Sequence, residues 1–185
     1  MQQYKGMRMA IFSSLFLLIF LWNPDLGAEG REFHFGHCRV QRAILQDLWT
    51  AFQGIRSTVQ ALDHNTDTRL LRQEFLQNAS LTEICHLNYS LLNFYLSNVF
   101  NRYHTKAEKL GILTPFTTLA NNFFAILKKL QRCKEKGIFT LSESSQRKFQ
   151  LFQQEFTKLN PEARLTKALG EMDILLAWLE KAFQP

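Results

Sequence analysis

The sequence predicts an all-α protein, a bundle of six amphipathic helices, on three observations. Apolar residues recur at steps of three and four along most of the chain after residue 40, which is the period of a helix that buries one face. Capping residues and prolines stand where several of these patterns begin, as helix N-termini prefer. Short polar breaks separate the patterns, and the sequence shows no repeat or long linker. We therefore expect one helical domain with one core.

The first 30 residues have the features of a secretory signal peptide. Lys5 and Arg8 precede an apolar run, Ala10–Trp22, which is too short to span a bilayer and is followed by no stop-transfer pattern. We expect cleavage after Gly30, so that residues 31–185 form a secreted, extracellular domain that does not insert into a membrane. An uncleaved membrane anchor is the alternative.

The secreted domain is predicted to begin with an aromatic lead-in without periodicity, Phe33–Cys38. The first helix then runs from about Val40 to Leu62. A polar break over residues 63–67 follows it. The apolar pattern that resumes after the break predicts a short second helix, which ends before Asn78.

The third helix begins with a capping box, in which Ser80 is the N-cap residue and Glu83 reaches back to the N-cap backbone. It is predicted to run to about Tyr103. Its apolar residues form two neighbouring stripes, so we expect it to be the most buried helix of the bundle.

The remaining three helices also begin at recognisable signals. Thr114 and the following proline open the fourth helix, which stops at Gly137, and Ser142 opens the fifth. Asn160 and the proline after it open the sixth helix, which runs to residue 183. Gly170 in the middle of that helix costs roughly 1 kcal/mol relative to alanine, so we expect a neighbouring element to approach it closely.

The end of the fourth helix is strongly basic, and the whole chain has a net charge of +6. Cations at this position complement the negative end of the helix dipole, which makes a solvated helix terminus the simpler interpretation. The alternative is a patch that binds glycosaminoglycans, because a moderately basic protein favours acidic surfaces. The charge is too small to indicate nucleic acid. The residues of this patch are Lys128, Lys129, Arg132, Lys134 and Lys136.

The sequence contains none of the motifs that would indicate an enzyme. Gly-rich phosphate loops, G-x-S-x-G, H-E-x-x-H and C-x-x-C are all absent. His34 and His37 lie near Cys38, but their spacing matches no zinc site. We expect no enzymatic activity, cofactor or metal.

Two kinds of covalent modification are predicted for a secreted chain. Asn78 and Asn88 each begin an N-glycosylation sequon. Three cysteines, Cys38, Cys85 and Cys133, imply one disulfide with one cysteine left over. The residues themselves leave all three pairings open.

A secreted helical bundle without catalytic motifs has two main uses. It can be a ligand that receptors recognise, or it can be a carrier of apolar ligands or a membrane-active protein. A carrier needs an internal cavity, and the closely filled apolar stripes predict none. Short loops and two sequons therefore favour a folded messenger.

Four segments give a more specific indication. They are Phe33–Cys38, Leu91–Phe100 with Tyr103 and His104, Thr118–Phe123 and Lys167–Trp178. Together they resemble the interleukin-10 family of cytokines, in particular its interleukin-19, -20 and -24 branch. The resemblance implies a six-helix interleukin-10-family cytokine bundle, without enzymatic activity, that acts as a monomer. It also implies receptors made of two class II chains, the shared interleukin-20 receptor beta chain with either interleukin-20 receptor alpha or interleukin-22 receptor alpha, which signal through Janus kinases and STAT factors.

The resemblance also assigns roles to residues of this chain. The family's first disulfide corresponds to Cys38 and Cys85, which leaves Cys133 without an obvious partner. Receptor contact is implied for the first helix, the connection after it and the last helix. The positions expected to face the receptor, Glu171 among them as an outward-facing residue, are Asp63, His64, Asp67, Arg69, Arg72, Lys167, Glu171 and Lys181.

Overall fold

The computed structural model describes residues 32–35, 38–139 and 142–182 of the 185-residue chain. The predicted signal peptide, residues 1–30, lies outside these residues. Elements of the described part are labelled here in chain order. They are β1 (Glu32–Phe35), β2 (Cys38–Gln41), α1 (Arg42–Ala61), a 3-10 turn (Gln73–Phe75), α2 (Leu81–Phe94), a π segment (Tyr95–Phe100), α3 (Asn101–Lys109), α4 (Leu113–Glu135), α5 (Glu143–Lys158), α6 (Pro161–Gly170) and α7 (Met172–Ala182).

The predicted all-α bundle of six helices is confirmed. α1, α4 and α5 match the first, fourth and fifth predicted helices closely, and the second shrinks to the 3-10 turn. The third runs without a break through α2, the π segment and α3. The sixth comprises α6 and α7.

The lead-in differs from the prediction because it forms a hairpin. β1 and β2 pair antiparallel, with Phe33 opposite Val40 and Phe35 opposite Cys38. β2 lies against α4. The start of the domain is therefore attached to the helix that carries Cys133.

The π segment explains how one long helix keeps a single face in the core. Leu91, Tyr95, Val99 and Tyr103 are all buried, and they recur at steps of four. A regular α-helix completes a turn in 3.6 residues, so a strict step of four would rotate these side chains away from the core. The wider π turn at Tyr95–Phe100 takes up the extra residue and brings them back into line.

Caps fix the starts of three helices as predicted, at Ser80, Ser142 and Asn160. The predicted Thr114 cap is wrong, because α4 already begins at Leu113 and its N-cap residue, Ile112, makes no side-chain cap. The Ser80 hydroxyl accepts from the backbone N–H of Glu83 (3.3 Å), and the Glu83 carboxylate accepts from the backbone N–H of Ser80 (2.8 Å). Asn160 accepts from the N–H of Ala163 at 2.8 Å. Both arrangements satisfy backbone donors that the first helical turn leaves unpaired.

Phenylalanines from α2 and α5 form the aromatic centre of the core. The ring of Phe94 meets Phe152 and Phe156 edge to face, at centroid distances of 5.1 and 4.9 Å. Tyr95 lies beside them and donates from its hydroxyl to the carbonyl of Ala168 at 2.9 Å. The long helix thus contacts both α5 and α6.

The structure contradicts the predicted pairing of cysteines. Cys85 is a free, buried thiol, whereas Cys133 is disulfide-bonded. The Cys38–Cys85 disulfide is therefore wrong, and so is the expectation that Cys133 lacks a partner. The side chain of Cys38 lies outside the described residues. The physical reason is the position of the hairpin, because β2 packs on α4 and not along α2, where Cys85 faces the core.

Candidate receptor-binding face

The last helix meets the segment that connects α1 to α2, residues 62–80. We call this the connecting segment. All eight positions predicted to face a receptor lie in these two regions, but the structure separates them into exposed and buried groups. His64, Asp67, Arg69, Arg72 and Lys181 are exposed, and Asp63 is half-buried.

Lys167 and Glu171 are the exceptions, because both are buried. Their exposed fractions are 7% and 6%. Neither side chain can reach a receptor, so the prediction of receptor contact at these two positions is wrong. A lysine and a glutamate at i and i+4 form an ordinary surface pair on an isolated helix. Here the connecting segment covers them.

Lys167 is held by three oxygen atoms. Its ammonium donates to the backbone carbonyl of Asn65 at 2.6 Å and to Asp63 Oδ2 at 3.1 Å, and it lies 3.4 Å from Glu171 Oε1. Charges removed from water need such partners, since an unpaired buried ion is strongly destabilising. We refer to Asp63, Lys167 and Glu171 as the buried ionic cluster.

Glu171 ties down the backbone of the connecting segment. Its Oε2 accepts from the backbone N–H groups of Leu70 (3.0 Å) and Leu71 (2.9 Å). The segment is not helical at these residues, so the carboxylate supplies acceptors that a helix would have supplied. Burial raises the pKa of Glu171, and the two backbone donors and Lys167 oppose that shift.

A break in the last helix makes room for this attachment. The helix is interrupted at Glu171, between α6 and α7, and the Gly170 carbonyl accepts from the side-chain amide of Gln60 at 3.2 Å. A Cβ at Gly170 would lie 3.1 Å from Asp63 Oδ2 and 3.3 Å from Asp63 Cβ. The expectation that a neighbouring element approaches Gly170 closely is confirmed.

α7 and the connecting segment also line an open groove of about 700 Å³. We call it the α7 groove. Arg69 and Lys181 supply its charge, and Trp178, held edge to face by Phe75 at 6.3 Å, supplies its aromatic side chain. Its lining residues are Arg69, Leu71, Gln73, Leu76, Gln77, Asn78, Ile174, Ala177, Trp178 and Lys181.

The other predicted contact residues lie outside the α7 groove. Arg72 forms an ion pair with Glu155 of α5 at 3.0 Å, which braces the connecting segment from the opposite side. Asp63 and His64 line a second open cleft, of about 500 Å³, beside Lys106. Of the predicted set, only Arg69 and Lys181 border the α7 groove.

Sequence reasoning missed the uncharged half of the groove. By their spacing, Leu76 and Trp178 belong to the apolar stripes of the predicted helices, whereas Ile174 lies outside them. Each also borders the groove. No local signal in the sequence marks these residues, because the groove exists only where α7 meets the connecting segment.

The two predicted glycosylation sites differ in environment. Asn78 is exposed, adopts a positive φ of 54°, and lies at the edge of the α7 groove. Asn88 is fully buried in α2, and neither its amide nitrogen nor its amide oxygen has a hydrogen-bond partner. The folded protein has no room for a glycan at Asn88, so that prediction is wrong.

One histidine–serine contact has the geometry of a proton-transfer pair but lacks access. Nδ1 of His86 lies 2.6 Å from Oγ of Ser145. Both residues are buried, so the pair joins α2 to α5 and cannot meet a substrate. Within the described ranges, no His, Cys, Asp and Glu residues group to hold a metal, and no helix is long and apolar enough to cross a membrane.

Comparison with known proteins agrees with this architecture. The family model described as interleukin 22, IL-10-related T-cell-derived-inducible factor, matches residues 38–183. Human interleukin-24 is 46% identical over 178 residues, which cover 96% of this chain and 86% of the relative. Mouse interleukin-20 is 36% identical over 178 residues, covering 95% and 97%.

A solved structure shows the same fold. An edited human interleukin 24 superposes with a TM-score of 0.71 at 46% identity, covering 83% of this chain and 99% of the other. Fold and sequence together define a helical cytokine. The chain belongs to the interleukin-10 family, on the side of the family that contains interleukin-24, interleukin-20 and interleukin-19.

Proposed function

We propose that the protein is a secreted, non-enzymatic cytokine that bridges two class II receptor chains. These are the shared interleukin-20 receptor beta chain and either interleukin-20 receptor alpha or interleukin-22 receptor alpha. Their pairing activates Janus kinases and STAT factors in the target cell. Family membership and the predicted signal peptide support this role.

The α7 groove is the observation that carries the proposal. Its two walls come from parts of the sequence about 100 residues apart, and the buried ionic cluster fixes one wall to the other. A surface that is already ordered loses little conformational entropy when a partner binds. Such a surface suits recognition by a folded receptor domain.

The composition of the groove also suits a protein partner. Aromatic and arginine side chains contribute most binding energy at protein interfaces. Arg69 provides an exposed arginine, whereas Trp178 is only 7% exposed and supports the wall of the groove from the core. The rim charges of Arg69 and Lys181 would speed encounter with an acidic partner surface. We assign the α7 groove to one receptor chain.

The second receptor chain needs a separate face. α1 contacts α4 as well as α6 and α7. We assign the second receptor chain to a face that includes α1 and α4, neither of which lines the α7 groove. One monomer is then sufficient to bridge both chains.

The carrier alternative has less support. The clefts named above are open to solvent, and their lining includes charged side chains such as Asp63, Lys106 and Lys181. An apolar ligand would need an enclosed apolar site.

A reporter assay with one receptor chain omitted at a time tests the proposal. Cells that express the beta chain with either alpha chain should show STAT activation by the mature protein. Cells that lack the beta chain should not respond. If folded protein activates neither receptor pair, the proposed function is wrong.

A further inference from the structure

The outer face of α4 carries a row of cations that the receptor proposal does not use. Lys128, Arg132 and Lys136 recur at steps of four and are exposed, so their side chains project from one side of the helix end. At 1.5 Å per residue the row extends about 12 Å along the helix axis. We call these three residues the basic row.

Not every cation of the predicted patch belongs to the row. Lys134 is half-buried, and its ammonium lies 4.9 Å from the ring centroid of Tyr89 on α2. Lys134 therefore contributes to packing between two helices. Lys129 is exposed beside the row.

Helix stability accounts for only part of the basic row, because the last turn includes Arg132 but not Lys128. Like charges at i and i+4 destabilise a helix, and the row contains two such pairs. The helix dipole favours cations only within the last turn, whereas Lys128 lies about two turns before the helix ends at Glu135. Glu135 is the only acidic residue of α4, and the side-chain amide of Gln131 donates to it at 3.2 Å.

We propose that the basic row binds a sulfated glycosaminoglycan chain. Such a chain presents anionic groups repeatedly along an extended polymer, which matches exposed cations spaced about one helical turn apart. Long, exposed lysine and arginine side chains can follow the polymer without any change in the fold, and release of counterions would drive binding.

A membrane surface fits the row less well. Proteins that lie on membranes combine cations with a broad apolar face. On α4 the only large apolar side chain that is exposed is Phe124, at 52%, and the Lys128 ammonium lies 5.0 Å from its ring centroid. The face around the row is otherwise polar.

The row and the α7 groove lie on different parts of the molecule. α4 packs on α1, α2, the π segment and β2, whereas α7 packs on α1, α2 and α6. A glycosaminoglycan on the row would leave the groove open. The protein could then be retained near a cell or in matrix and still contact a receptor.

Elution from immobilised heparin tests the proposal without any receptor. The test variant is Lys128→Gln/Arg132→Gln/Lys136→Gln. The matched control, Arg102→Gln/Lys109→Gln/Arg147→Gln, removes the same net charge from exposed positions on α3 and α5. We expect the test variant to bind heparin about tenfold more weakly at physiological salt, with a shallower salt dependence, while the control changes less than about twofold.

Three results would overturn the proposal. Equal weakening of both variants would show that only net charge matters. Equal binding to desulfated heparin would exclude recognition of sulfate groups. Tighter binding of the natural protein to vesicles of phosphatidylserine than to heparin would assign the row to a membrane. Unchanged circular dichroism of both variants is required for the comparison.

Discussion

Asn88 is the polar side chain that fits its surroundings least. It lies on the buried face of α2, and both polar atoms of its amide lack hydrogen-bond partners. Each unpaired buried polar group costs about 1–3 kcal/mol. Asn88 is therefore a point where the core can be made more stable by a single substitution.

We predict that Asn88→Val raises the free energy of unfolding by about 1 kcal/mol or more, because it replaces an unpaired amide with an apolar side chain. Urea denaturation measures the change. Ser90→Ala is the control, since it also destroys the sequon but leaves the amide in place, and it should change stability little. If Asn88→Val is less stable than the natural protein, the amide of Asn88 has hydrogen-bond partners in solution.

Cys85 allows a second measurement on a single residue. Burial raises the pKa of its thiol to about 12, so little reactive thiolate forms at pH values near 8. We predict that iodoacetamide does not modify Cys85 in the folded protein and does so after denaturation without a reductant. A Cys85 that reacts only once reductant is added would be in a disulfide, contrary to the structure.

The structural roles of residues with local signals could be predicted from the sequence. The roles of residues that depend on distant partners could not. The roles of Ser80 and Asn160 as caps follow from neighbours within three residues. The cost of Gly170 in a helix likewise indicated a close approach. The burial of Lys167 and Glu171 depends on the connecting segment, about 100 residues away in sequence. Their own spacing indicates an exposed pair.

At the scale of elements, α1 and α4 approach each other closely at Gly54, where a side chain would meet Pro115. A Cβ at Gly54 would be 2.9 Å from Cβ of Pro115 and 3.3 Å from its Cγ. The proline ring is rigid and stands in the first turn of α4, so it cannot move aside without shifting the helix. Gly54 therefore sets how closely the two helices approach.

Gly54→Ala is predicted to destabilise the protein by about 1–2 kcal/mol, because overpacking outweighs the roughly 1 kcal/mol gained in helix propensity. Thermal unfolding measures it. The neighbouring exposed residue provides the control, as Gln53→Ala adds helix propensity without a clash. A rise in melting temperature for Gly54→Ala would mean that α1 and α4 are farther apart.

The attachment of the connecting segment to the last helix depends on Glu171. Glu171→Ala would leave Lys167 buried without one of its partners and two backbone donors unpaired, and we expect a loss of about 3 kcal/mol. Glu171→Gln keeps an acceptor for the N–H groups of Leu70 and Leu71, so its loss should be smaller. Chemical denaturation of both variants at neutral pH gives the comparison. Equal losses would mean that the charge alone matters.

The same residue predicts a dependence on pH. Burial raises the pKa of Glu171 above its usual value of 4.5, so the folded state binds this proton more tightly than the unfolded chain. The contribution of Glu171 to stability therefore increases as pH falls towards 4.5 and decreases as pH rises through the folded pKa. The unfolding free energy of the natural protein minus that of Glu171→Gln should grow on acidification. If this difference in unfolding free energy instead shrinks on acidification, the hydrogen bonds of Glu171 lower its pKa by more than burial raises it.

Elements differ in how far the sequence determines them. Helix period and caps located the first, fourth and fifth helices closely and the starts of the third and sixth, because those signals act within a few residues. The third helix continues to Lys109, beyond its predicted end at about Tyr103. The connecting segment has a weaker pattern, and there the predicted helix is only the 3-10 turn Gln73–Phe75. The hairpin was not predicted, since its pairing and its position on α4 depend on contacts across the fold.

At the scale of the whole molecule, one central helix organises two different surfaces. The long helix from Leu81 to Lys109 buries one face in the core, and its π segment keeps that face aligned. The α7 groove and the basic row then lie on separate elements around it. This separation allows the protein to bind a receptor and an anionic polymer independently.

The central claim is that the α7 groove contacts a receptor chain, and surface plasmon resonance with receptor ectodomains tests it most directly. The test variant is Arg69→Glu/Lys181→Glu, and Arg102→Glu/Lys109→Glu on α3 is the control with the same change in charge. We predict that the test variant loses about tenfold or more in affinity for one receptor chain, mainly through slower association, while the control binds normally. Undiminished binding of a correctly folded Arg69→Glu/Lys181→Glu protein to all three receptor chains would contradict the account.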